Sequence, residues 1–315
     1  MAAKEMRGPK MPDEASPDPT VHRRRLRSEL RKAREAAGMT QRDVAAAMDW
    51  SQSKLIRIET GAVSISTNDL RALLRHYSLE HARIENLVDV ARASRDQPRW
   101  SVYKNVAEPE YIAFLGYESS ASIIRNFEPL LIPGLLQTEE YASEVLSAMH
   151  DFELHKVDPL VELRMQRQEL LVREPSPPSM HFIMDEAVIR RMIGGHALMR
   201  RQLRRLKELV DHPNITIRIV SFERGIYPRF RVPYVLFEFP EPEDEDVLYV
   251  ENPLGELIIR ENSPEEKGSV TPVNYLGFFW AVEQIARRED APSAIQDALD
   301  KLTNGPSSPP DGGAV

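Results

Sequence analysis

Between Leu26 and Leu79 apolar residues recur at helical spacing, and the run is cut repeatedly by a residue that stops one helix and a residue that starts the next. Leu26, Leu30, Ala33 and Ala37 share one face of a first helix, and Gly38 ends it by accepting a left-handed backbone. Thr40 caps a second helix to Met48, with Val44, Ala45 and Met48 inward. After a short turn Ser51 caps a third, with Leu55 and Ile58 inward, and Gly61 stops it. Thr67 caps a fourth, with Leu70, Leu73 and Leu74 inward. Stripes this short and this closely punctuated can be buried only against one another, so the segment is confined to a small all-helical unit.

Two short helices joined by a tight turn form the helix-turn-helix signature. Burying Leu55 and Ile58 turns Gln52, Ser53, Arg57 and Thr60 to the opposite face of the third helix. That face opens on a free helix N-terminus, which favours a phosphate. Glutamine reads adenine through two hydrogen bonds, arginine reads guanine, and serine is permissive. A merely solvated face carries Glu and Lys more often. The segment resembles the XRE/Cro–CI family of helix-turn-helix repressors in Gly38, Thr40 and Gln41, in Val44 and Ala45, in Ser51, Gln52 and Ser53, and in Ile58, Glu59 and Gly61. The resemblance implies that Gln41 grips a phosphate and steadies Gln52 on adenine, and that Arg34 and Glu59 form a partly buried, structural salt bridge. The residues assigned to DNA are thus Gln41, Arg42, Ser51, Gln52, Ser53, Lys54 and Arg57, with Lys54 on phosphate rather than a base. Trp50 departs from the small or aliphatic residue usual in the turn, so no operator sequence carries over.

Charge separates this segment from the rest. Residues 20–104 hold 17 Lys and Arg against 10 Asp and Glu, whereas residues 105–315 carry a net charge of -14. A basic module on an acidic body suits DNA at one end only. The cluster Arg23, Arg24, Arg25 and Arg27 leaves two readings open: a DNA-backbone or minor-groove contact, or a solubilising flank. No apolar run approaches the roughly 20 residues that span a bilayer. The first residues lack the apolar core of a signal peptide, and cysteine is absent, both of which suit the cytoplasm. The expected organisation is a disordered tail over 1–19, rich in proline, the DNA-binding domain over 20–95, a linker over 96–105, a larger domain over 106–303, and a second disordered tail over 304–315.

The larger domain reads as α+β with a mainly antiparallel sheet, behind an all-α domain of four to five helices. Helices are expected over 108–117, 138–150, 158–173, 185–192, 196–211, 272–289 and 292–302. Strands are expected over Met180–Met184, Ile215–Phe222, Val232–Phe239, Val247–Glu251 and Leu257–Arg260, the last three as an antiparallel meander. No phosphate loop, metal-binding pair of histidines or nucleophile motif occurs, so neither an enzyme, a cofactor nor a metal is expected. The eight histidines do not cluster at ligand spacing. The acidic run Pro240–Asp246 reads as a solvated hairpin tip or as a patch for a basic partner. Phe114–Ser120, Arg125–Tyr141, Asn214–Phe222 and Tyr249–Asn252 resemble the C-terminal domain of unassigned function on many actinobacterial XRE-type regulators, described as antitoxin-like. Phe114, Tyr117, Phe127, Ile132 and Leu135 are candidates for a pocket, for a protein groove, or simply for core.

Two functions follow as expectations. One is a transcriptional regulator that binds double-stranded DNA as a homodimer and takes a small-molecule effector in its acidic domain. The other, implied by the antitoxin-like resemblance, binds a small partner protein encoded nearby and autoregulates its operon. Dimer contacts could come from the very apolar segment Tyr275–Ile285, which could equally be internal core.

Overall fold

The computed structural model describes residues 17–149, 153–241, 243–252, 255–260 and 270–304. They form two compact units. The first takes the chain to Lys104 together with Ile112–Ser120 and Glu241–Glu245, and the second takes Asn105–Tyr111, Ala121–Pro240 and the chain from Asp246 onward. The tails expected to be disordered lie outside the described residues apart from 17–19 and Asn304.

In the first unit α1 (Pro19–Ala36) begins well before Leu26. The Asp18 carboxylate accepts the Thr20 N–H and Pro19 stands in the first turn, a start signal that the proline-rich composition had obscured. Then come α2 (Gln41–Ala47), α3 (Gln52–Glu59), α4 (Thr67–His76) and α5 (His81–Ala93). Ser66 rather than Thr67 caps α4, its hydroxyl accepting the Asp69 N–H. Leu30, Val44, Leu55, Leu70, Leu73, Leu74, Leu87 and Val88 make one closed core among these helices. The stretch read as a linker is packed: Trp100 and Tyr103 are buried in a short 3-10 turn, and the Arg99 N–H reaches Asp18 at 3.2 Å. From α6 (Pro109–Ser120), residues 112–120 join this unit. Gly116 permits that packing, since a Cβ there would lie 2.7 Å from Thr20 Oγ1 and 2.8 Å from the Asp18 carboxylate.

The second unit is built on a six-stranded mixed sheet in the order β3-β2-β1-β4-β5-β6. β1 (Ile123–Glu128), β2 (Ser179–Asp185) and β3 (Ile215–Val220) run parallel, connected through α7 (Glu139–Met149), α8 (Val157–Arg167), α9 (Glu186–Arg190) and α10 (Gly195–Val210). β4 (Tyr234–Glu238), β5 (Val247–Asn252) and β6 (Gly255–Arg260) form the antiparallel meander, which β4 joins to β1. β1 was not expected as a strand, because Arg125 and Asn126 interrupt its apolar pattern. Its Phe127 stands opposite Ile183 on one side and Tyr234 on the other, at the centre of a core completed by α11 (Pro272–Glu283). α12 (Ala291–Asn304) packs against α10. Phe114, Tyr117, Phe127, Ile132 and Leu135 are all buried, as core residues are.

One pH dependence follows from the sheet. His181 on β2 is lowered to about 4, first by burial and then by Arg125, Arg218 and Arg288. Glu283 lies 3.8 Å from Nδ1, but it already pairs with Arg218 at 3.4 Å and does not reverse the effect. A base depressed on folding contributes stability that is present above its unfolded value near 6.5 and is lost as pH falls toward the folded value. Relative to His181→Gln, the wild-type chain should lose about 2 kcal/mol between pH 7 and pH 4, discounted for the partial exposure of the ring. Denaturant titrations of both proteins across that range would check it, and parallel curves would refute it.

Candidate nucleic-acid interface

α2 opens with a reciprocal cap. The Thr40 hydroxyl accepts the Asp43 N–H at 3.2 Å, and the Asp43 carboxylate accepts the Thr40 N–H at 3.1 Å. These bonds from Thr40 hold the Asp43 carboxyl below the usual carboxylate range. Asp49 then takes a left-handed backbone with φ 55°, which turns the chain between α2 and α3. Ser51 caps α3, accepting the Lys54 N–H at 3.2 Å.

Three residues fix α3 in place. Leu55 and Ile58 are buried in the helical core, and Glu59 is 3% exposed beneath it. Glu59 accepts from Arg34 Nε at 2.7 Å on one oxygen and from Gln41 Nε2 at 2.7 Å on the other. Arg34 also donates to the Met39 carbonyl at 3.0 Å, so α1, α2 and α3 meet on one carboxylate. Burial works against the Arg34 charge, but the Glu59 bond outweighs it and holds the guanidinium above its usual value. Tyr77, buried beside the pair, is pushed up by burial and by the Glu59 charge.

The remaining face of α3 is open. Gln52, Ser53, Ile56, Arg57 and Thr60 are exposed, with Ser51 at the entrance and Arg42 exposed on α2. Of the residues assigned to DNA from the sequence, Gln41 is half-buried and turned to Glu59, and the Ser51 oxygen is taken by its cap. Lys54 is half-buried, its Nζ 4.0 Å from the centre of the Trp50 ring and 3.6 Å from Asp69. Trp50 itself packs against the core, which explains the unusual turn residue as a platform for Lys54. Sequence reasoning missed Ile56, 38% exposed within the polar face; its position beside Leu55 in the periodicity was the available signal.

Residues 25–87 match the family model of a helix-turn-helix domain. The chain carries a helix-turn-helix domain. Residues 111–267 match a domain of unknown function (DUF5753). Neither a curated protein nor a solved structure matches the chain. Among the described residues no helix is long and apolar enough to cross a membrane, and no group of His, Cys, Asp and Glu could hold a metal ion.

The arginine cluster lies on α1, and its members engage partners within the first unit. Arg23 donates to the Ser94 and Asp96 carbonyls at 2.7 and 2.9 Å. Arg24 is buried against the Tyr117 ring. Arg27 donates to the Thr60 carbonyl at 3.1 Å, capping the end of α3 where the helix dipole favours a cation. Gly61, at φ 78°, leaves room for it, since a Cβ there would lie 2.5 Å from Arg27 Cδ. Arg25 stands 3.8 Å from Glu243.

That last contact corrects the reading of the acidic run as a solvated tip. Within the first unit Glu245 accepts from the Ser28 hydroxyl at 2.6 Å and pairs with Lys32 at 2.8 Å, so the loop clasps α1. Asp244 is buried beside Arg24, Arg25 and His22; burial raises its carboxyl, and the two arginines only partly offset it. Glu245→Ala should lower the stability of this unit by about 1.5–3 kcal/mol, as loss of a hydrogen bond to a charged group predicts. Melting of Glu245→Ala, Ser28→Ala and the double variant would measure it, and additive losses would show that the pair is uncoupled.

Proposed function

We propose that this protein is a sequence-specific transcriptional regulator of the XRE/Cro–CI kind that reads the major groove with α3, binds as a homodimer, and acts in the cytoplasm. The observation that carries the reading is the open face of α3, where Gln52, Ser53, Ile56 and Arg57 are exposed around a free N-terminal turn while Leu55, Ile58 and Glu59 hold the helix rigid. Gln52 pairs with adenine and Arg57 with guanine, and Ile56 supplies an apolar contact for a thymine methyl. Ser51, Ser53, Arg42 and Lys54 serve the phosphates flanking those bases, with Lys54 released from Trp50 and Asp69 on contact. Gln41 supports Gln52 while held by Glu59. The acidic domain over 106–303 receives the regulatory signal, either a small molecule or, if this chain is antitoxin-like, a small partner protein encoded nearby.

The test is a genome-wide map of binding sites followed by titration on the recovered motif. Gln52→Ala and Arg57→Ala should each weaken specific binding by about 1–3 kcal/mol and relax the preference at one base pair. Affinity should also fall steeply with salt as phosphate contacts release counterions. Wild-type affinity and selectivity in both variants would exclude α3 as the reader.

A further inference from the structure

Apart from Asn274 and Glu283 the residues of α11 are apolar, and a helix so rich in apolar side chains is ordinarily buried over most of its surface. Its own unit covers only half of it. Tyr275, Phe279 and Val282 are buried in the core of the sheet. On the opposite face Val273 is 63% and Trp280 50% exposed, and Gly277, Ala281 and the polar Asn274 are exposed with them. A Cβ at Gly277 would meet nothing within 4 Å among the described residues. Gly277 and Trp280 are three positions apart, so the largest side chain of this face stands beside a position that carries no side chain.

We infer that the outer face of α11 is the surface through which two copies of this chain pair, with Trp280 of each copy seated over Gly277 of the other. A twofold axis places each feature of a surface on a different feature of the same surface, and a face holding both knob and gap is complementary to itself. Charge favours the same occupant. Residues 105–315 carry a net -14, so two acidic bodies repel over most approaches, whereas no exposed residue of α11 is charged. Beside the helix, Arg229 stacks 4.8 Å from the Phe278 ring and 5.1 Å from that of Tyr275, and Ile226 and Phe230 in the same loop as Arg229 are exposed. Stable pairs bury about 800 Å² per partner, more than one helix face supplies. The inference deepens the proposed function by giving the homodimer its contact surface.

Sedimentation velocity of the full-length protein without DNA tests it. The wild type should sediment as a dimer. Trp280→Glu and Gly277→Glu, both at exposed positions, should raise the dimer dissociation constant about thirtyfold or more with an unchanged far-ultraviolet circular dichroism spectrum. Because the chain has no cysteine, Ala281→Cys introduces a single thiol. A short bis-maleimide should join two Ala281→Cys copies and leave Ser176→Cys copies single. A monomeric wild type, or Trp280→Glu dimers as tight as wild type, would overturn the inference. Dimers through α11 that bind no operator would sink the DNA reading and sustain this one; a monomer that binds its operator would do the reverse.

Discussion

Glu59→Ala should unfold the helix-turn-helix domain well before it alters any base contact. Removing this carboxylate leaves the Arg34 guanidinium, 11% exposed, without its 2.7 Å partner, and leaves the Gln41 amide without its acceptor. A buried charge stripped of its partner costs roughly 3–5 kcal/mol, and the upper half of that range is expected because Glu59 is itself only 3% exposed. That is a large fraction of the 5–15 kcal/mol by which folded domains are typically stable. Hydrogen exchange on the full-length chain should show protection lost across α1 to α5 while β1 to β4 keep theirs. Glu59→Gln keeps one acceptor for Arg34 and should recover part of the loss. Weakened DNA binding with undiminished protection would place Glu59 in the interface instead.

Phe127→Ala should do the corresponding damage to the second unit. Phe127 is fully buried on the strand that receives β2 on one side and β4 on the other. Its ring stacks on Tyr234 at 5.3 Å and meets Tyr227 edge-on at 6.0 Å. Truncating a buried phenylalanine costs about 3–5 kcal/mol through lost transfer energy and the cavity left behind. The aromatic pairs add roughly 0.5–1.5 kcal/mol each. Chemical denaturation followed by hydrogen exchange should show the six-stranded sheet failing first. Phe127→Leu should retain most of the stability because it refills much of the cavity. A loss below about 1 kcal/mol for the alanine variant would mean that the neighbouring rings close over the site.

Much of the DNA-binding domain could be read from the sequence because its determinants are local. A cap acts within three residues and an amphipathic stripe within two turns. Thr40 and Ser51 therefore mark the starts of α2 and α3, Gly61 follows the end of α3, and the burial of Leu55 and Ile58 sets the open face. The same logic fails where signals compete locally. Asp18 and Pro19 start α1 within a stretch whose proline content suggested disorder, and Ser66 outcompetes Thr67 for a cap one residue away. β1 shows the other failure: Arg125 is compatible with a half-buried strand only because Glu238 on the neighbouring strand accepts its Nε at 2.7 Å.

What the sequence determined by itself was the helix-turn-helix, meaning short capped helices with a polar face of Gln52, Ser53 and Arg57 turned outward. It also determined the α+β character of the body. Tertiary structure alone decided what the remaining charges do. Ser28 and Glu245 are 217 positions apart, and nothing near either residue announces the other. The arginines at the start of α1 leave a DNA contact and a solubilising flank both open in sequence, whereas in the structure Arg23, Arg25 and Arg27 reach the Ser94 carbonyl, Glu243 and the Thr60 carbonyl. α11 is likewise uniform in sequence, and only the packing of Tyr275, Phe279 and Val282 onto the sheet separates its inner face from the one left exposed. Caps and stripes are specified by energies acting over a few bonds. The fate of a long charged side chain or of a largely apolar helix depends on which surface folding brings within a few ångströms of it.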